Sequence, residues 1–332
     1  MGLPRSATER AEVRAGASSA TIAPPALPRA AVRGDGYPAA RAGGAPIAAR
    51  ARGWARSVLR FAHRKPLGAA SGAVLTLCVL AALLAPVVSP HDPVAQDVPN
   101  QFRSPDRTYW MGTDHLGRDV LSRIIHGARI SLSVGFLAVG VAALIGIVAG
   151  TSSAYFGGLL DLLLQRVIDT MMGVPALVVA MVIMFVLGSS LTNVVLAITV
   201  AYTPQFVRIV RSEALAVKET DYVVAAAASG ASSARVLGFH IIPNTLTSVF
   251  VFATGALGGA IVAEASLSFL GLGIPPPAPS WGQMLQGAAR LHMETFPWLV
   301  IFPGLTITLV VYAFNMLGDA LRDVLDPRLR ER

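Results

Sequence analysis

The chain has 332 residues, 54% of them hydrophobic and 14% charged, with a formal net charge of +8. A soluble domain carries roughly 25% charged residues, so an integral membrane protein is the first class to test. The one cysteine, Cys78, excludes an internal disulfide framework and a thiolate metal cluster.

Residues 1–50 are rich in Ala, Arg, Pro and Gly, lack periodicity, and read as a disordered basic tail. Residues 1–65 hold twelve Lys/Arg against Glu9, Glu12 and Asp35, so almost the whole net charge sits there. These basic residues are diluted and have no aromatic stacking platform beside them, which argues against a nucleic-acid partner. In RGWARSVLRFAHR (52–64), Arg52, Arg56, Arg60 and Arg64 recur on one helical face, with Trp54, Val58 and Phe61 on another. The pattern predicts an amphipathic helix over 51–66 lying against membrane lipid.

Six stretches supply the ~20 apolar residues a helix needs to cross a bilayer core. They are 67–89, 131–153, 167–187, 191–210, 245–266 and 298–318. The short alternating segments of a membrane β-barrel are absent. The expected fold is therefore an all-α integral membrane protein with six transmembrane helices. With the N-terminus inside, 21 of the 27 Lys/Arg fall on the inner side, which puts both termini in the cytoplasm. Residues 90–130 then face outward, 131–320 form a core of five spans with an inner loop at 211–244, and 321–332 are a cytoplasmic tail.

Small residues recur every four positions in the second span (Ala138, Ala142, Gly146, Gly150) and the fifth (Gly255, Gly259, Ala263). Such stripes let helix backbones approach closely in lipid. Pro175, Pro204 and Pro303 lie inside spans three, four and six and favour kinks.

No catalytic or metal-ligating constellation stands out. The six histidines are scattered, and no HExxH, GxSxG or GxxxxGK[ST] sequence occurs. Asp161 and Asp169 flank Arg166 and read as a structural ion-pair cluster. The centres of the spans are nearly free of charge, Glu264 standing near the outer end of span five and Asn315 late in span six. Coupled carriers usually place acids at mid-membrane, so energy for uphill transport would have to come from another molecule.

Between spans four and five stands DYVVAAAASGASSARVLGFHIIPNTL (221–246). Thr220 suits an N-cap, Asp221 the first turn, and the alanines a helix. Gly230 suits a left-handed cap, and Ser232 or Ser233 a second short helix that Pro243 ends. Tyr222, Val223, Leu237 and Phe239 are candidates to fill a partner's groove. A passive returning loop and a docking surface both fit these residues.

The stretch resembles the "EAA" signature of ABC importer permeases, with Ala225, Ala226, Gly230, Ile241 and Pro243 on the pattern and Val224 at the signature glutamate. MGTDHLGRDVLSRIIHGARISLSVG (111–135), LQRVIDTMMGVPAL (164–177), EASLSFLGLGIPPPAPSWGQML (264–285) and FNMLGDALRDVLDPR (314–328) resemble segments of the dipeptide/oligopeptide/nickel permease family. WARSVLRFAHRKPLG (54–68) resembles the N-terminal region of its C-type member. The resemblance implies a non-catalytic, multi-pass subunit of the cell membrane that forms a path for di- or oligopeptides with a homologous second permease. Two cytoplasmic ATPases would hold the ATP and Mg, and an extracytoplasmic solute-binding protein would deliver cargo. It also implies that Asp221, Tyr222, Ala225, Ala226, Gly230, Leu237, His240 and Pro243 contribute to ATPase coupling. Gly146, Gly150, Gly255 and Gly259 are expected to pack the permease core.

Overall fold

The computed structural model describes residues 62–63, 65–289 and 294–325. The tail expected over 1–50, most of the interfacial helix over 51–66, and residues 326–332 lie outside them. The described residues form helices joined by loops, the longest of them running from residue 89 to 119. In chain order these are α1 (Pro66–Leu83), α2 (Ala85–Val88), α3 (Val120–Phe156), α4 (Gly158–Met172), α5 (Ala176–Leu187) and α6 (Leu191–Lys218). There follow α7 (Asp221–Ala228), α8 (Ser233–Val236), α9 (Ile242–Phe269), α10 (Trp281–Ala289) and α11 (Trp298–Leu325). Five helices are long and apolar enough to cross a membrane, and the bent pair α4–α5 makes a sixth if counted as one span.

The spans are longer than hydropathy alone predicts. α3 begins at Val120 rather than near 131, because the buried Asp119 carboxylate accepts the Ser122 amide (2.9 Å) and hydroxyl (2.6 Å) and so caps the helix early. At 1.5 Å per residue its 37 residues reach about 55 Å, well beyond a ~30 Å hydrocarbon core, so both its ends project. α6 likewise runs to Lys218, eight residues into the stretch expected to be loop. The prolines act unequally. At Pro175 the third span breaks outright, α4 and α5 meeting at 89°, since the residue before a proline is driven from helical geometry. Pro204 and Pro303 stand inside helices that continue past them.

The centre of the bundle is the α3–α6 contact. A Cβ placed on Gly146 would stand 2.5 Å from the Phe206 Cβ, and one on Gly150 would stand 2.8 Å from the Val207 carbonyl oxygen. Only glycine permits this approach. Ala138 and Ala142 continue the same seam with no exposure. On α9 the expected stripe behaves differently. A Cβ on Gly259 would meet the Tyr202 hydroxyl at 2.5 Å, whereas one on Gly255 would make only ordinary contact with Asn315 at 4.0 Å. The α9–α11 approach is tightest at Gly318, where a Cβ would stand 2.7 Å from the Thr254 hydroxyl; Gly258 lies at ordinary contact distance from Val311.

At the end of the bundle away from the α6–α9 loop, segments 90–119, 270–289 and 294–297 close over the helices. The Arg118 guanidinium is paired with Asp114 at 2.7 Å, and the buried Arg123 donates to the Pro93 carbonyl at 3.1 Å. Trp281 is fully buried and its indole donates to the Ile124 carbonyl at 3.0 Å. Glu264 has no exposure; its carboxylate accepts hydroxyls from Ser131 (2.9 Å) and Ser268 (2.8 Å), tying α9 to α3.

Gly150→Ala should lower the melting temperature of the purified protein in detergent, through an overpacking cost of about 1–3 kcal/mol. Gly255→Ala, which makes only ordinary contact and gains helix propensity, should leave it unchanged or raised.

Candidate functional site: the loop between α6 and α9

The loop forms because its polar backbone groups are satisfied locally. α6 ends at Lys218, and the Thr220 amide (3.1 Å) and hydroxyl (2.6 Å) both donate to the Val217 carbonyl. Thr220 stands at the N-cap of α7 as expected, but its side chain closes the preceding helix instead of capping the next. α7 ends in a paired cap, with the Gly230 amide donating to Ala227 (3.0 Å) and the Ala231 amide to Ala226 (3.2 Å). Gly230 has φ +86°, and no atom lies within 4 Å of where its Cβ would be, so its constraint is backbone geometry alone.

The second short helix does not stop at Pro243. α8 passes through a π turn at Leu237–Ile241 directly into α9. The wider turn and the position of Pro243 in the first turn of α9 spare the helix the hydrogen bond that proline cannot donate.

A separate small core anchors the loop. Val223, Val236 and Ile241 are buried against Ala154 at the end of α3 and Ala214 on α6. Burying each such branched side chain contributes about 1.5–3 kcal/mol. The Lys218 ammonium donates to the carbonyls of Ala154 (3.1 Å) and Tyr155 (2.8 Å), satisfying the terminus of α3. Close by, Asp161 of α4 receives two hydrogen bonds of 2.6 Å from Arg211, and Asp169 pairs with Arg208. The ion-pair cluster expected at Asp161 and Asp169 therefore draws its arginines from α6, not from Arg166.

The coupling candidates separate into two groups. Asp221, Tyr222, Ala225, Gly230 and Pro243 are exposed, and His240 is half-buried with its ring 6.2 Å from that of Tyr222. Ala226 is half-buried, and Leu237 packs against the small core. Of the four groove-filling candidates, Val223 points inward with 2% exposure, whereas Phe239 is 76% exposed. Val224 is 55% exposed, so the position that departs from the signature looks outward. The result is an outward face of Tyr222, Val224, alanine backbone and Phe239. Sequence reading missed Lys218 and Arg211, cations in the last turns of α6 whose partners lie on other helices.

Residues 142–331 match the model of a family described as binding-protein-dependent transport system inner membrane component. Residues 54–105 match the N-terminal TM domain of oligopeptide transport permease C. The chain belongs to this permease family. It is similar to the dipeptide transport system permease protein DppC of Alkalihalophilus pseudofirmus, with 40% identity over 257 residues, 77% of this chain and 84% of that one. A putative peptide transport system permease protein of Brucella suis is 42% identical over 257 residues, covering 77% and 86%. The glutathione transport system permease protein GsiD of Escherichia coli is 39% identical over 278 residues, covering 83% and 91%. This permease is thus a multi-pass inner-membrane subunit of an ABC importer, all-α as its composition predicts.

Ile241→Ala should cost the small core about 2–5 kcal/mol. Hydrogen exchange is expected to accelerate across 221–236 while amides in α3 and α6 near Gly146 and Val207 keep their protection.

Proposed function

We propose that this permease forms the translocation path of a peptide importer together with a homologous second permease, and that the 219–244 loop is where a cytoplasmic ATPase drives it. The carrying observation is the outward face of Tyr222, Val224, Ala225 and Phe239, held on its own core at the end of α3 and α6. An aromatic, apolar face beside exposed alanine backbone suits insertion into a groove on a partner.

The chain itself is non-catalytic in this reading. ATP and Mg are bound by two partner ATPases, and a solute-binding protein delivers cargo to the opposite end. There a cavity of about 220 Å³ opens among Asp114, Arg118, Arg123, Gln283 and Gln286. The excess of Lys/Arg on the loop side supports a cytoplasmic location for the loop and both termini. Closure of the ATPases displaces α7; Val223 and Ile241 pass the displacement to Ala154 of α3 and Ala214 of α6, and the bundle reorients. Peptide is the cargo class favoured by the dipeptide and peptide permease relatives, with glutathione a related peptide-like solute.

The test is ATP-dependent uptake of labelled dipeptides and of glutathione by the complete importer in proteoliposomes. Gly230→Val, in open space, costs about 1–2 kcal/mol through the left-handed backbone alone. It should weaken ATPase binding and uptake together, and Phe239→Ser should do the same without backbone strain. Wild-type ATPase association and uptake in both variants would refute the coupling role.

A further inference from the structure

α11 presents one continuous exposed stripe. Ile301, Leu305, Thr308, Tyr312, Asn315, Asp319 and Arg322 alternate at four- and three-residue spacing, and all are exposed, while Val310, Ala313, Phe314 and Ala320 face the core. The stripe changes character along its length, from Ile and Leu at the far end to Tyr, Asn and Asp toward the loop end.

Several polar side chains elsewhere on the long helices are satisfied within the chain. The Thr308 hydroxyl donates to the Gly304 carbonyl and that of Ser133 to Arg129. The Asn193 amide donates to Leu187 and Gly188, and that of Asn244 to His240. Among the described residues, the amides of Gln205 and Asn315 have no such partner within these helices, and Asn315 is the exposed one. Tyr312 and Asp319 on the same stripe also lack a hydrogen bond or ion pair.

The depth of Asn315 matters. Lys65, immediately before the apolar α1, pairs with Asp323 at 2.5 Å and marks the loop-end edge of the apolar bundle. Asn315 stands about 12 Å further in along the helix axis. An open primary amide at that depth is strongly disfavoured against hydrocarbon, so its face meets water, polar solute or a polar group of a partner helix. Beside it, α9 offers Gly255, whose missing side chain leaves space next to the Asn315 amide.

We propose that Tyr312 and Asn315 line the water-filled path at its loop-end half and that the Asn315 amide hydrogen-bonds the backbone amides of the passing peptide. This rests on the importer reading above, and it names the residues by which this chain touches cargo. A side-chain amide carries both donors and an acceptor, matching the C=O and N–H that every peptide presents whatever its side chains.

The test uses the complete importer in a Cys78→Ala background. Asn315→Cys is compared with Phe185→Cys, an exposed apolar position on α5, for reaction with a hydrophilic, membrane-impermeant thiol reagent. A water-lined thiol ionises where one against hydrocarbon does not, so Asn315→Cys should label at least ~10-fold faster. Saturating dipeptide should slow that labelling. Asn315→Leu should raise the KM for dipeptide uptake roughly 10-fold, and Asn315→Gln should restore it. Labelling no faster than at Phe185→Cys, as when the stripe packs directly on the second permease, overturns the proposal. So does an unchanged KM in Asn315→Leu. Labelling is read without any assumption about cargo, whereas failure of the wild-type importer to take up any peptide would strike the importer reading itself.

Discussion

The contact between α3 and α6 at Gly146 and Gly150 is the constraint on which the rest of the molecule depends. Lipid supplies no hydrophobic drive between helices, so association rests on close packing, and close packing here requires two positions with no side chain. Because α3 is one uninterrupted helix, the seam fixes both of its projecting ends at once. One end carries Asp119, Trp281 and the closing segments; the other carries Ala154, against which the loop core is built. Arg208 and Arg211, one turn apart on α6, then hold α4 at the same end.

Much of this architecture was legible in the sequence because membranes make crude demands. A run of about 20 apolar residues must become a helix, since no other conformation satisfies its backbone in hydrocarbon. The small-residue stripe of α3 was readable for the same reason. Of the α9 stripe, Gly259 makes a close approach, to Tyr202 of α6, while the tight α9–α11 contact falls at Gly318 of α11, beside Thr254. Four-residue spacing identifies a face without saying which neighbour it meets.

The loop was legible where local chemistry decides and obscure where tertiary contacts do. Gly230 had to adopt a left-handed cap after four alanines, and it does. Val223 looked interchangeable with Tyr222 as a surface contact, yet it is the residue that anchors α7. Nothing in its neighbours distinguishes the two, because only the presence of Ala154 and Ala214 beneath the helix settles which side is inward. The partners of Asp161 and Asp169 were misjudged for a related reason: Arg166 is near in sequence, whereas Arg208 and Arg211 are near in space.

The π turn at Leu237–Ile241 has a consequence for phase. An α-helix advances about 100° per residue, so a continuous helix from α8 through α9 would lock the facing of every residue in the loop to the facing of every residue in the span. One wider turn breaks that lock. Val236 and Ile241 can both point into the small core while Phe239, between them, points away, and the span beyond keeps the register that seats Gly258 on α11 and Gly259 on Tyr202. Two surfaces with different partners are thereby carried on one rod, and each can change its sequence without rotating the other.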